Sequence, residues 1–547
     1  MVRSSAQVCG RIENFIWPLR CFTELRNSLE RSVRMSFSTI ISAAVEGLNV
    51  ELIRVEADVS NGLPVFHMVG YLSSEVKEAS ERVRTAIRNS GFTFPAKRTV
   101  INLSPATVRK RGASFDLPIA AAILLSLGEL EKSPDGNCLI IGELGLDGKV
   151  RKVPGILPIV MEAKARGITR CVVPEENVRE GMLVPGMEVL GVKSLEETAD
   201  IVSGRKKPRP AKIRKKSISD GKLPEDDFSE VRGQENVRRA AELAVAGGHN
   251  LLLIGSPGSG KTMTARCIAG ILPPPDREES MEITKIYSVS GLLDEREPLI
   301  GQRPFRSVHH TATRAALTGG GLIPKPGEIS LAHGGVLFLD ELPEFRKGVL
   351  EVLRQPLEKK SIQISRAHGN YSFPADFMLV AAMNPCPCGC YPDMQRCTCT
   401  PAQIQAYIGR ISQPFLDRID ICAESSRVEF GELTGEDKAE GSAQIRERVC
   451  RAREIQKVRY RDAGIHVNSM LEGENLKKYC ELGPAGKKMM EQAFDVLKLS
   501  ARAYYRVLKV ARTAADLSGE EKIREEHLRE ALGYRTVDRK YWGRQKI

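Results

Sequence analysis

The chain has 547 residues, enough for three or four domains that each bury a core of their own. No run approaches the ~18 apolar residues that a membrane-spanning helix needs, so a membrane protein is not expected. The formal charge of +12 suggests nucleic acid, yet residues 205–216 (RKKPRPAKIRKK) hold +8 and residues 1–34 a net +3, which leaves the remainder near neutral.

In chain order, residues 1–34 carry no periodic pattern and precede a second methionine, Met35, as an over-called start or a tolerated extension would. Three glutamates and the missing apolar core argue against a signal or transit peptide. Residues 35–203 read as a mixed α/β domain. Its strand-like runs include Val50–Val59, Thr99–Leu103, Leu139–Ile141 and Cys171–Val173; helix-like runs include Ser74–Asn89, Pro118–Leu127 and Ile156–Arg166. Residues 204–222 form a basic, Pro-bearing linker, which suits a phosphate backbone and a self-repelling solvated spacer equally.

Residues 223–425 alternate strand and helix, which predicts a mostly parallel sheet flanked by helices. Inside them Gly255-Ser256-Pro257-Gly258-Ser259-Gly260-Lys261-Thr262 is a complete GxxxxGK[ST] phosphate loop. It follows the apolar run Leu251–Ile254 and precedes a helix-compatible stretch. Glycines let the backbone N–H groups converge on phosphates at a helix N-terminus; Lys261 reaches the β/γ-phosphates and Thr262 ligates Mg²⁺. ATP or GTP is the expected ligand.

Val336–Leu339 followed by Asp340-Glu341 is the pattern of a buried parallel strand ending in two carboxylates. Asp340 is expected to hold Mg²⁺ and Glu341 to polarise the attacking water. His309-His310 lies in a polar loop and is a weaker metal candidate. Residues 359–375 alternate around Gly369-Asn370, predicting a hairpin with a basic tip at Arg366 and His368 that serves equally as a phosphate contact or a solvated turn. Phe377–Met383 is a second buried strand, ending at Asn384, which is placed to orient the hydrolytic water.

Thirteen cysteines are present, and five fall between 386 and 399; the rest are scattered singly, as in a reducing, cytoplasmic setting. Cys386-x-Cys388 and Cys397-x-Cys399 offer four soft thiolates suited to tetrahedral structural Zn²⁺, with Cys390 left over. In Arg410–Asp420 two arginines, Arg410 and Arg418, bracket a hydrophobic turn, and either suits a finger acting on a neighbouring subunit's nucleotide. The remainder, 426–547, reads as a helical domain, for example Ser442–Tyr460 and Gly486–Leu517.

This order of phosphate loop, Asp-Glu strand, Asn strand and Leu416-Asp417-Arg418-Ile419-Asp420 resembles AAA+ ATPases of the helix-2-insert group, which includes magnesium-chelatase subunits and minichromosome-maintenance helicases. Residues 61–92, 112–123, 303–311, 326–345 and 500–519 look like the bacterial magnesium-chelatase-like ComM/YifB family, and the likeness runs from about Met35 to the C-terminus. The resemblance implies that Arg418 is the finger, that Arg502 is a second sensor arginine from the helical lid, and that Gln234 packs near the adenine. It implies ATP over GTP, a helix-2 insert at 291–331, and a pore-lining hairpin at 359–375. It also implies a ring hexamer, and ATP-driven DNA unwinding and branch migration during DNA uptake. Residues 139–177 resemble the proteolytic domain of Lon proteases, with Ser114 at the serine position and Leu157 where the protease has its lysine. Leucine accepts no proton, so a Lon-like fold without peptidase activity is expected. A metal-chelatase subunit and an ATP-dependent protease or chaperone are the alternatives. Neither a porphyrin substrate nor a membrane partner is expected.

Overall fold

A computed structural model describes residues 37–130, 137–205, 226–321, 324–366, 369–426 and 439–542. The extension 1–34, nearly all of the linker 204–222, and His368 lie outside the described residues.

The first domain is built on a seven-stranded mixed sheet. In chain order its strands are β1 (Phe37–Glu46), β2 (Asn49–Ser60), β3 (Phe66–Val69), β4 (Arg98–Ser104), β5 (Cys138–Ile140), β6 (Arg170–Pro174) and β7 (Glu188–Val192). They lie in the order β3-β4-β2-β1-β5-β6-β7, with β1 antiparallel to β2 and parallel to β5. Period-two burial explains β2: Ile53, Val55, Ala57 and Val59 all point into one core, while Arg54 is exposed. Helix α1 (Asp116–Ser126) covers that face and is buried almost all round, as its Leu-Pro-Ile-Ala-Ala-Ala-Ile-Leu-Leu text requires. Helix α2 (Ile156–Ala165) covers the opposite face.

The second domain carries a five-stranded, all-parallel sheet. Its strands are β8 (Leu251–Gly255), β9 (Phe305–Val308), β10 (Val336–Leu339), β13 (Met378–Met383) and β14 (Ile421–Ser425), in the order β9-β10-β13-β8-β14. Strand β8 is apolar at every position because both faces are covered: Leu251 and Leu253 enter one core, Leu252 and Ile254 another. Helices α3 (Glu235–Gly247), α4 (Lys261–Ile271) and α5 (Arg277–Ser290) belong to this layer.

Between β10 and β13 stands the predicted hairpin, β11 (Ser361–Arg366) with β12 (Gly369–Pro374). Its register corrects the expected turn. Arg366 faces Gly369 and Ser365 faces Asn370, so Gly369-Asn370 belongs to a strand and not to the turn.

The remainder is helical: α6 (Ser442–Arg459), α7 (Pro484–Leu497), α8 (Ala501–Leu517) and α9 (Glu525–Trp542). The single helix expected over Gly486–Leu517 is two. Lys498 adopts a left-handed conformation at φ 48°, and Ser500 caps α8 by accepting the Ala503 N–H at 3.2 Å. A serine side chain that replaces a backbone partner starts a new helix more readily than it extends an old one.

The first two domains are docked. Gly155 N–H donates to Ser288 O at 3.0 Å, and the Ser288 hydroxyl donates to buried Glu180 at 2.5 Å. Met281 of α5 inserts into the α2 core.

Candidate nucleotide site

All the predicted ATP-site groups on the second sheet stand at the C-terminal ends of its parallel strands, where open α/β sheets place their ligands. The phosphate loop leaves β8 and turns through Gly258 and Gly260, at φ 76° and 82°, into α4. Neither glycine has a neighbour within 4 Å of where a Cβ would stand, so the loop lies open to a ligand.

Lys261 is largely buried and donates to Gly255 O and Ser256 O at 2.8 Å each, and to Asn384 Oδ1 at 3.2 Å. Burial pulls its pKa below the ordinary lysine value, with the Asp340 charge opposing. The Thr262 hydroxyl donates to Asp340 Oδ2 at 2.7 Å. Thr262 and Asp340 thus form one hard oxygen pair that fits Mg²⁺. Asp340 Oδ1 also accepts the Glu341 N–H at 2.9 Å, while Glu341 takes φ 52° at the strand end. The half-exposed Glu341 carboxylate meets His310, whose Nδ1 lies 2.8 Å from Glu341 Oε2. The contact has ion-pair distance without hydrogen-bond alignment.

Gln234 stands at the N-cap position of α3 and is buried, its side chain turned to other partners. Its amide donates to Ser426 O at 2.5 Å, and its Oε1 lies 3.3 Å from Ser425 Oγ. No sequence motif marks Ser425, yet its hydroxyl donates to Ser259 O of the phosphate loop at 2.7 Å. Ser425 therefore ties Gln234 to the loop.

Arg418 is buried and bonded to Pro414 O and Glu358 Oε1. Arg410 is exposed and pairs with Glu344 at 3.0 Å. The turn that carries Arg418 is anchored to the lid. Asn250 Nδ2 donates to Arg418 O at 2.8 Å, Arg506 of α8 approaches Asp420 at 3.3 Å, and Arg535 of α9 donates to Ile419 O at 2.7 Å. Burial works to raise the Asp420 pKa, but His249, Arg506 and the Asn250 N–H hold it well below the carboxylate range. Arg502 is exposed in the first turn of α8, and among the described residues no contact joins it to the phosphate loop.

The cysteines meet as predicted. Sγ of Cys386 lies 3.4 Å from that of Cys388 and 3.8 Å from that of Cys397, Cys388 and Cys397 are 3.6 Å apart, and Cys399 completes a group within 4.8 Å. A tetrahedral ion with Zn–S bonds of about 2.3 Å sets its sulfurs roughly 3.8 Å apart, so the donor set fits zinc. The Cys390 N–H, ahead of that of Thr398, pushes the Cys388 thiol down to about 5. Cys390 stands outside the group, its thiol on Cys388 O at 3.7 Å.

Comparison with known proteins agrees with this geometry. Three family profiles match in succession: "Subunit ChlI of Mg-chelatase" over residues 55–177, "Magnesium chelatase, subunit ChlI" over 227–433, and "Magnesium chelatase, subunit ChlI C-terminal" over 439–535. The chain is 43% identical over 511 residues to the competence protein ComM of Haemophilus influenzae, covering 92% of this chain and 98% of that protein. It is 42% identical over 516 residues to the uncharacterized protein YifB of Salmonella typhimurium, covering 94% and 100%. The chain belongs to the ComM/YifB family of magnesium-chelatase-like AAA+ proteins. A shorter stretch of 215 residues is 28% identical to Lon protease 2 of Bacillus subtilis, covering 34% of this chain and 38% of that protein.

This ComM/YifB-family chain therefore combines a Lon-like α/β domain, an AAA+ domain with a cysteine cluster, and a helical domain. In the Lon-like domain Leu157 is fully buried, and its N–H donates to Glu180 Oε1 at 2.8 Å. Glu180 is the same carboxylate that receives Ser288 of α5, so the position that resembles the protease's lysine is built into the seam with the AAA+ domain. Ser114 accepts the Gly142 N–H on its carbonyl at 3.1 Å. The Arg366 guanidinium at the hairpin's end comes within 3.3 Å of the Cβ position of Gly320. Gly319–Gly320 pairs with Lys325–Pro326 inside the expected helix-2 insert, so Arg366 and exposed Lys325 share one basic edge.

No helix among the described residues is long and apolar enough to cross a membrane.

Proposed function

We propose that this chain is an ATP-hydrolysing AAA+ motor acting on single-stranded or branched DNA, as a homo-hexamer whose sites are completed between subunits. One observation carries the ATPase reading: around the open phosphate loop Lys261 is bonded to Asn384 and Thr262 to Asp340, two adjacent pairs set at the strand ends. Lys261 exchanges its carbonyl and amide partners for phosphate oxygens, and the N–H groups of 258–262 cradle the same charge. Mg²⁺, when bound at Thr262 and Asp340, neutralises charge that develops on the phosphates. Glu341 takes the position of the base that polarises water, and Asn384 orients that water. Arg418 is the finger offered to a neighbouring subunit, its turn stiffened by Asn250, Arg506 and Arg535. Arg502 supplies a further positive charge from the lid.

The DNA reading is supported by the basic edge of Arg366 and Lys325 and by the likeness to the competence protein ComM. Structural zinc on Cys386, Cys388, Cys397 and Cys399 is supported by the sulfur spacing. The Lon-like domain works as a scaffold without peptidase activity. The chelatase wording of the family profiles favours a second reading, insertion of Mg²⁺ into a porphyrin.

Phosphate release measured with and without single-stranded DNA tests the first reading. Stimulation by DNA that is lost in Lys261→Ala is expected. A rate indifferent to DNA, alongside porphyrin metalation, would replace it with the second.

A further inference from the structure

The cysteine cluster and the phosphate loop touch where buried Gly389 meets the exposed ring of Pro257. Gly389, between Cys388 and Cys390, takes φ 77°, and a Cβ there would stand 2.2 Å from Pro257 Cδ and 2.8 Å from Pro257 Cγ. Glycine at 389 is thus demanded twice, by its backbone conformation and by the proline ring of the loop lying against it. The turn is held from below: Gly389 N–H donates to Cys386 O at 3.0 Å and Tyr391 N–H to the buried Cys386 sulfur at 3.4 Å. The same segment begins at Asn384, which accepts from Lys261, and at β13, whose Met383 pairs with Ile254 at the end of β8. One short stretch of chain therefore braces the loop at Pro257 and holds its lysine at Asn384.

We propose that the four-cysteine turn is a backstop for the phosphate loop, so that metal on the thiolates and nucleotide on the loop each strengthen the other's binding. The proposal rests on the readings that residues 255–262 bind nucleotide and that Cys386, Cys388, Cys397 and Cys399 hold zinc. A metal that pins both Cys-x-Cys segments fixes Gly389 against Pro257 and keeps the loop in its phosphate-ready form. Without it the turn is free to move and the loop loses a wall. Linkage is reciprocal, so the factor by which metal loss weakens nucleotide binding is the factor by which nucleotide retains metal.

The experiment compares the full-length parent, Gly389→Ala and Gly389→Ala/Pro257→Ala. Zinc content, zinc release to a chromogenic chelator and affinity for a fluorescent ADP analogue are measured on each. The parent is expected to carry zinc, to release it more slowly with ADP present, and to lose about tenfold in ADP affinity once zinc is stripped under reducing conditions. Gly389→Ala keeps every cysteine and every phosphate-loop residue; it is expected to retain zinc, weaken ADP binding by a similar factor and abolish the effect of ADP on zinc release. Both variants carry the backbone strain at 389, but the double variant lacks the proline ring, so recovery of most of the ADP affinity assigns the effect to the contact. Unchanged ADP affinity in Gly389→Ala, no recovery in the double variant, or zinc release indifferent to ADP in the parent would each overturn the proposal. A parent without zinc removes the metal reading, a parent without ADP binding removes the loop reading, and either takes the proposal with it.

Discussion

Lys261 concentrates the proposed chemistry at the residue scale, because it is a buried cation held at the loop by Gly255 O, Ser256 O and Asn384 Oδ1. Lys261→Ala is expected to lower kcat/KM for ATP by ~10²–10³-fold, the usual loss when one preorganised donor is removed. Phosphate-release kinetics measure it, and a variant within threefold of the parent would deny Lys261 its role. The phosphate-loop residues, Asp340, Glu341 and Asn384 were legible because each lies at a strand end with its own local text. His310 was not. Its partner Glu341 is far away in sequence, and only the parallel pairing of Val308 with Leu339 brings the two residues beyond each strand end side by side. His310→Ala is expected to cut kcat about tenfold with KM little changed, a smaller loss than Glu341→Gln. A change confined to KM would make His310 a binding group instead.

At the scale of elements, helix packing explains both what the sequence showed and what it hid. Helix α1 was plain from its apolar text, but Asp116 at its start is fully buried, where Arg82 grips it at 2.7 and 3.0 Å. Burial pushes the Asp116 carboxyl up to about 6, and Arg82 works against that rise. Arg82→Ala leaves the carboxylate without a cation, held by the Leu144 N–H and facing the Glu143 charge, and its pKa climbs further. At pH 8 the loss of stability is expected to reach about 3–5 kcal/mol for that domain. At pH 5 it is smaller, because the unpaired Asp116 takes up a proton in the folded state but much less in the unfolded one. Urea midpoints at the two pH values check the sign; equal losses would contradict it. The break between α7 and α8 escaped notice because Lys498 and Leu499 suit a helix, and only the Ser500 cap decides against one.

For the whole molecule, domain order was readable from composition shifts and motif spacing, while the seams were not. No local pattern announces that Leu157 and Ser288 meet on one buried glutamate, or that the lid's Arg506 and Arg535 reach the Arg418 turn. These contacts make the chain a linked set of parts. The Lon-like domain grips α5, the lid grips the Arg418 turn, and the hairpin presents Arg366 beside Gly320. Arg366→Ala is expected to lower the DNA-stimulated ATPase rate and to flatten the salt dependence of single-stranded DNA binding by about 0.7 in log–log slope. An unchanged slope would place Arg366 outside the DNA path. The most direct test of the motor reading is displacement of a labelled strand from a forked DNA by the full-length chain with ATP and Mg²⁺. The account predicts ATP-dependent displacement that disappears in Lys261→Ala, and hydrolysis without any displacement, unaffected by DNA, would contradict it.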